Sequence, residues 1–189
     1  MIKIGILGDI GSGKSYVAKS FGYPVFNADV EVNKLYKKDK KIFKKLKKIL
    51  PNHIHSFPVS KNEITSAILF NKSNLKKIIK IVHLEIRKKM NIFLSKNRKK
   101  KIVILDIPLL LENKINKKDD ILVFVKSKRS DILKKLRKRV NFNPTLLNKF
   151  KNIQLPLDYK EKKSQFVIKN NFTNKSVNKS IKKILKDIL

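Results

Sequence analysis

The sequence predicts an α/β protein built on a parallel sheet of about five strands with helices on its faces. Two observations predict this. Short apolar, β-branched runs recur along the chain, each followed by a longer stretch with helical spacing. The first of these runs leads straight into Gly8-Asp9-Ile10-Gly11-Ser12-Gly13-Lys14-Ser15, the pattern G-x-x-x-x-G-K-S between a strand and a helix.

Ile2-Lys3-Ile4-Gly5-Ile6-Leu7 reads as a buried strand, and Tyr16 to Phe21 as the first turns of a helix beginning near Ser12. Between them the glycines permit close backbone approach, so successive N–H groups turn inward around an anion. The helix start adds its dipole and unpaired N–H groups. Lys14 is placed to reach the outer phosphates of a nucleotide, and Ser15 to offer a hydroxyl to Mg²⁺. Gly8, Gly11, Ser12, Gly13, Lys14 and Ser15 are therefore the candidate phosphate-binding residues.

A second strand, Tyr23 to Phe26, runs into Asn27-Ala28-Asp29. Ligands gather at the carboxyl ends of strands in open parallel sheets, which puts Asp29 on the same edge as the loop. One helix is predicted over 30–50, stopped by Pro51, and a polar loop over 52–60 carries His53 and His55. Without a carboxylate or thiol nearby, these histidines read as exposed loop residues. A second helical stretch, 62–98, is interrupted around 71–74. It holds His83 and Arg87, four apart and so on one face; alone, that pair also suits an ordinary surface helix.

Lys101 to Ile107 is almost continuously apolar, as a central parallel strand should be. Asp106 near its end fits either an acid behind Mg²⁺ or a cap for the following turn. Asp120 to Val125 and Phe166 to Ile168 read as the remaining strands, Ser130 to Arg139 as a basic helix, and Ser176 to Leu189 as the last helix.

The chain has 189 residues, sized for one domain, and no apolar run long enough to span a membrane. Its first residues read as a strand rather than a secretion signal. The absence of cysteine excludes disulfides and suits a cytoplasmic location. The net charge of +33 points either to a polyanion partner or to compositional drift. Drift explains it better: the 42 lysines are spread over nearly every segment, and arginine, the bidentate residue, occurs five times. No specific nucleic-acid or membrane partner is expected.

Five segments together resemble the dephospho-CoA kinase family: G-D-I-G-S-G-K-S, N-A-D at 27–29, H-L-E-I-R at 83–87, D-I-P-L-L-L-E at 106–112, and Arg139 through Gln154 and Lys160 to V-I-K-N at 167–170. The resemblance runs from Ile4 to about Asn171. It implies ATP-dependent phosphorylation of the ribose 3′-hydroxyl of dephospho-CoA, with Mg²⁺. It implies Asp29 as the acceptor of the hydroxyl proton, with Lys14 and a lid arginine, Arg139, as the other catalytic groups. His83, Arg87, Pro108, Leu109 and Glu112 fall on the dephospho-CoA side, Asn170 near the adenine, and Ser15 and Asp106 at the metal.

The implied layout is a phosphate-loop kinase core (1–28, 101–138 and 160–189), a helical substrate region (29–100) and a lid (139–159). A monomer is the expectation. The sequence departs from the family at Asp9 (usually Gly), Tyr16 (Thr), Asn27 (Asp), Leu84 (Pro), Lys135 (Arg) and Gln165 (Asp). Two other readings stay open: a nucleoside monophosphate kinase on the same fold, and a phosphate-loop relic that binds nucleic acid through its charge.

Overall fold

The computed structural model describes residues 1–140 and 142–189; Asn141, inside the expected lid, lies outside the described residues. The chain forms two compact units, one of residues 1–27, 96–143 and 151–189, the other of residues 28–95 and 144–150. The first holds the sheet: β1 (Ile2–Gly8), β2 (Val25–Asn27), β3 (Ile102–Asp106), β4 (Ile121–Lys126) and β5 (Phe166–Lys169), all parallel, in the order β2-β3-β1-β4-β5.

The central strand is β1, and the chain leaves it toward one side of the sheet and later fills the other. That switch point, at the carboxyl ends of the strands, is where open α/β sheets bind ligands. Register puts Asn27 opposite Asp106, and Gly8 opposite Val125.

The core follows from alternation along the strands. Ile4, Ile6, Ile102, Ile104, Val123 and Val125 share one face. Against them pack Val17, Ala18 and Phe21 of α1 (Lys14–Ser20) and Val177, Ile181 and Ile184 of α9 (Asn174–Ile188), the last three at helical spacing. On the opposite face Gly5 leaves room for Leu110; a Cβ there would lie 2.5 Å from Leu110 Cδ2. The turn after β3 can therefore lie down on the sheet.

The second unit is helical: α2 (Ala28–Lys38), α3 (Lys40–Ile49), α4 (Lys61–Phe70), most of α5 (Lys72–Lys96), and α7 (Pro144–Lys151) but for its last residue. The helix expected over 30–50 is two helices. Asp39 stops the first and caps the second, its carboxylate accepting from Lys41 and Ile42 N–H; local capping outcompetes continuation of the helical pattern. Ser60 and Glu63 form a capping box at the start of α4. Glu63 also accepts from His55 and Ser56, so it organises the loop before that helix. His53, expected to be exposed, is half-buried, with its ring tilted against that of Phe70.

In the sheet unit, α6 (Arg129–Arg137) ends before Arg139, and α8 (Leu157–Lys162) lies in a stretch where no helix was expected, as does α7 in the other unit. No helix among the described residues is long and apolar enough to cross a membrane.

Candidate active site

The loop after β1 is held by the ends of the neighbouring strands. Ser12 is fully buried, and its carbonyl accepts from Asn170 Nδ2 (2.8 Å), at the end of β5, and from Ser127 Oγ (3.0 Å), just past β4. Gly13 has φ 89°, and a Cβ there would lie 2.4 Å from Asn170 Nδ2. Glycine is required on both counts. Asn170 also accepts from Phe172 N–H, and Phe172 takes a left-handed φ of 63° beside Gly13. Gly11 rests against Leu136 and Ile132 of α6. The loop is thus fixed before any ligand arrives, as a phosphate cradle must be.

Lys14 Nζ donates to the carbonyls of Gly8 (3.2 Å) and Asp9 (2.7 Å), which folds it back over the mouth of its own loop. The Asp9 carboxylate accepts from the N–H of Ile10, so the extra acid is satisfied locally. Ser15 and Tyr16 are exposed in the first turn of α1, and Tyr16 Oη donates to Asn174 at the start of α9 (2.6 Å).

Beside the loop lie the ends of β2 and β3. Asp106 is buried and accepts from Asn27 Nδ2, which also approaches Ser15 Oγ (3.5 Å). Ser15, Asn27 and Asp106 therefore form one cluster from three elements. Pro108 and Leu109 are half-buried in the turn after β3. Glu112, at the end of that turn, reaches Lys160 Nζ (2.6 Å) and Leu155 N–H (3.0 Å). Lys135 lies over the Phe172 ring at 5.2 Å, a cation–π contact made with lysine where the family resemblance suggests arginine. Gln165 replaces the expected Asp and completes the sheet edge: Leu122 N–H donates to its side chain, and its own N–H donates to Leu122 O. Arg139 is exposed just past α6.

In the helical unit Asp29 sits exposed in the first turn of α2, where the helix dipole favours a carboxylate. His83 and Arg87 lie one turn apart on α5. Burial, and then the charge of Arg87, hold the His83 pKa below its ordinary 6.5.

The sheet unit thus assembles Gly8, Gly11, Ser12, Gly13, Lys14, Ser15, Asp106 and Asn170, and the helical unit carries Asp29, His83 and Arg87. Ser127 and Phe172 escaped the sequence reading. A lone serine after a strand has no signature, and the conformation of Phe172 depends on Asn170.

Comparison with known proteins identifies the family of this chain. The family described as dephospho-CoA kinase matches residues 2–176. A dephospho-CoA kinase of Wolbachia pipientis wMel is 32% identical over 179 residues, covering 92% of this chain and 91% of that protein. A solved structure from Thermus thermophilus superposes with a TM-score of 0.78 at 24% identity, covering 100% of this chain and 98% of that one. The dephospho-CoA kinase of Campylobacter jejuni superposes with a TM-score of 0.63 at 19% identity, covering 98% and 96%. At these identities the two structures speak for the fold, a phosphate-loop kinase core, while family and sequence matches speak for the chemistry. The chain belongs to the dephospho-CoA kinase family, the ATP-dependent kinases of the last step in coenzyme A synthesis.

Proposed function

We propose that this chain carries out the family reaction with the following residues. The 3′-oxygen of the dephospho-CoA ribose attacks the γ-phosphorus of ATP in line. The new P–O bond forms as the bond to the β,γ-bridging oxygen breaks, and ADP leaves. Asp29 takes the hydroxyl proton. Lys14 leaves the Gly8 and Asp9 carbonyls to meet the phosphates, and the loop amides and Arg139 stabilise the charge that develops there. His83, Arg87, Pro108, Leu109 and Glu112 serve the dephospho-CoA side, with residues 139–159 as the lid. Tyr16 and Asn170 serve the nucleotide side.

The donor set suits a magnesium ion: the Ser15 hydroxyl and the buried Asp106 carboxylate are hard oxygen ligands beside the phosphate cradle. Bound there, the ion would neutralise charge on the outer phosphates. The chain's high positive charge would favour encounter with two polyanionic substrates, in a salt-dependent way. A cytoplasmic location accords with the cysteine-free sequence.

The observation that carries this reading is the braced loop with Asp106 beside it, in a chain matching the family over residues 2–176. The test is ADP release from MgATP with dephospho-CoA, AMP, CMP and shikimate as acceptors. Turnover with dephospho-CoA alone supports the assignment. Preference for AMP or CMP would make the chain a nucleoside monophosphate kinase. No turnover with any acceptor, together with tight RNA binding at physiological salt, would overturn it.

A further inference from the structure

Asn27 and Asp106 are register partners at the last position of the β2–β3 ladder, and their side chains meet there. The Asn27 amide donates to Asp106 Oδ2 and lies 3.5 Å from Ser15 Oγ. Asp106 is 3% exposed, so its carboxylate depends on protein donors or a cation for compensation. The amide nitrogen thus stands between the two oxygen groups assigned to the divalent cation.

We propose that Asn27 is a placeholder for that cation and tunes its affinity. Its N–H occupies an Asp106 lone pair, keeps the buried carboxylate compensated while no metal is bound, and must be displaced when a cation arrives. That competition weakens cation binding and lets the ion come and go with each nucleotide. The proposal rests on the Ser15–Asp106 metal reading above. An amide at position 27 leaves Asp106 as the sole negative charge of this three-residue cluster. A carboxylate there would set two like charges at hydrogen-bond distance with no donor between them, an arrangement that favours a shared cation.

The test is Mn²⁺ binding to the nucleotide-free, full-length protein, followed by the paramagnetic resonance signal of free Mn²⁺. Asn27→Ala removes the competing donor and is expected to tighten binding about threefold, and Asn27→Asp, which adds charge, by about tenfold or more. Affinities that stay unchanged or weaken in both variants overturn the placeholder role. If Asn27→Asp does not fold without metal, Asn27→Ala carries the test alone, with the same direction required. Asp106→Asn separates the two levels. If it leaves Mn²⁺ affinity unchanged, the metal-site reading itself fails. If it abolishes binding while the Asn27 variants match the unmodified protein, only the placeholder fails.

Discussion

Lys160 and Glu112 form a buried ion pair, with Nζ 2.6 Å from Oε1 and the side chains 1% and 9% exposed. Gln154 Oε1 accepts from the same ammonium at 3.3 Å, and the Leu155 N–H donates to the same carboxylate oxygen. The pair fastens the chain returning from α7 to the turn after β3. Removing one partner strands the other's charge. Lys160→Met or Glu112→Leu alone is expected to cost about 3–5 kcal/mol, and the two together much less. Urea unfolding of the three variants checks this; additive losses in the double variant would refute the pairing.

Asp29→Asn is expected to lower turnover with dephospho-CoA by about 10² or more, because general-base contributions are of that order. ATP affinity should hold, since the proposed role concerns the acceptor hydroxyl. Single-turnover kinetics with a nucleotide-binding titration separate the two effects, and undiminished turnover would remove Asp29 from its role.

Lys14→Ala is expected to weaken ATP binding and slow turnover together. The variant loses the charge that meets the phosphates, while the Ser12 anchors to Asn170 and Ser127 remain. Thermal stability within about 1 kcal/mol of the unmodified protein should accompany the loss, as for a side chain outside the core. Normal kinetics would exclude this loop from the chemistry.

His83 should titrate below 6.5, held there by burial and then by Arg87. The folded protein then binds fewer protons than the unfolded chain as pH falls from 6.5 toward the folded value. Stability is therefore lost across that window and kept above it. Nitrogen-detected NMR of the imidazole checks the midpoint, which Arg87→Gln should move upward.

Glu63 is held below its ordinary 4.5: burial pushes the carboxyl up, but the N–H groups of His55, Ser60 and Ser56 and the Ser56 hydroxyl together outweigh it. A lowered carboxyl stabilises the fold above the unfolded value, and that contribution fades as pH falls through the folded one. Glu63→Gln should flatten the acid limb of the unfolding curve below about pH 4.5. An unchanged acid limb would mean the cluster does not couple to folding.

The phosphate loop was legible because its requirements are local: glycines at fixed spacing, a lysine and a hydroxyl between a strand and a helix. The strands were legible because parallel strands buried on both faces read as apolar runs. The split at Asp39 was missed because a cap is decided by one side chain against its own backbone, beneath a helical pattern that continues. The helices α7 and α8 were missed because, at 8 and 6 residues, they are too short for a helical repeat to stand out along the chain.

What the sequence by itself determined is the fold class, the loop and the family, each of which depends on neighbours along the chain or on motifs in order. Tertiary structure alone decided what the side chains meet. Asn170 braces Ser12, 158 residues away in sequence; Asn27 lies on Asp106, 79 away; and Glu112 pairs with Lys160. The physical reason is that a buried polar group must find a partner, and strand order determines which partner is within reach.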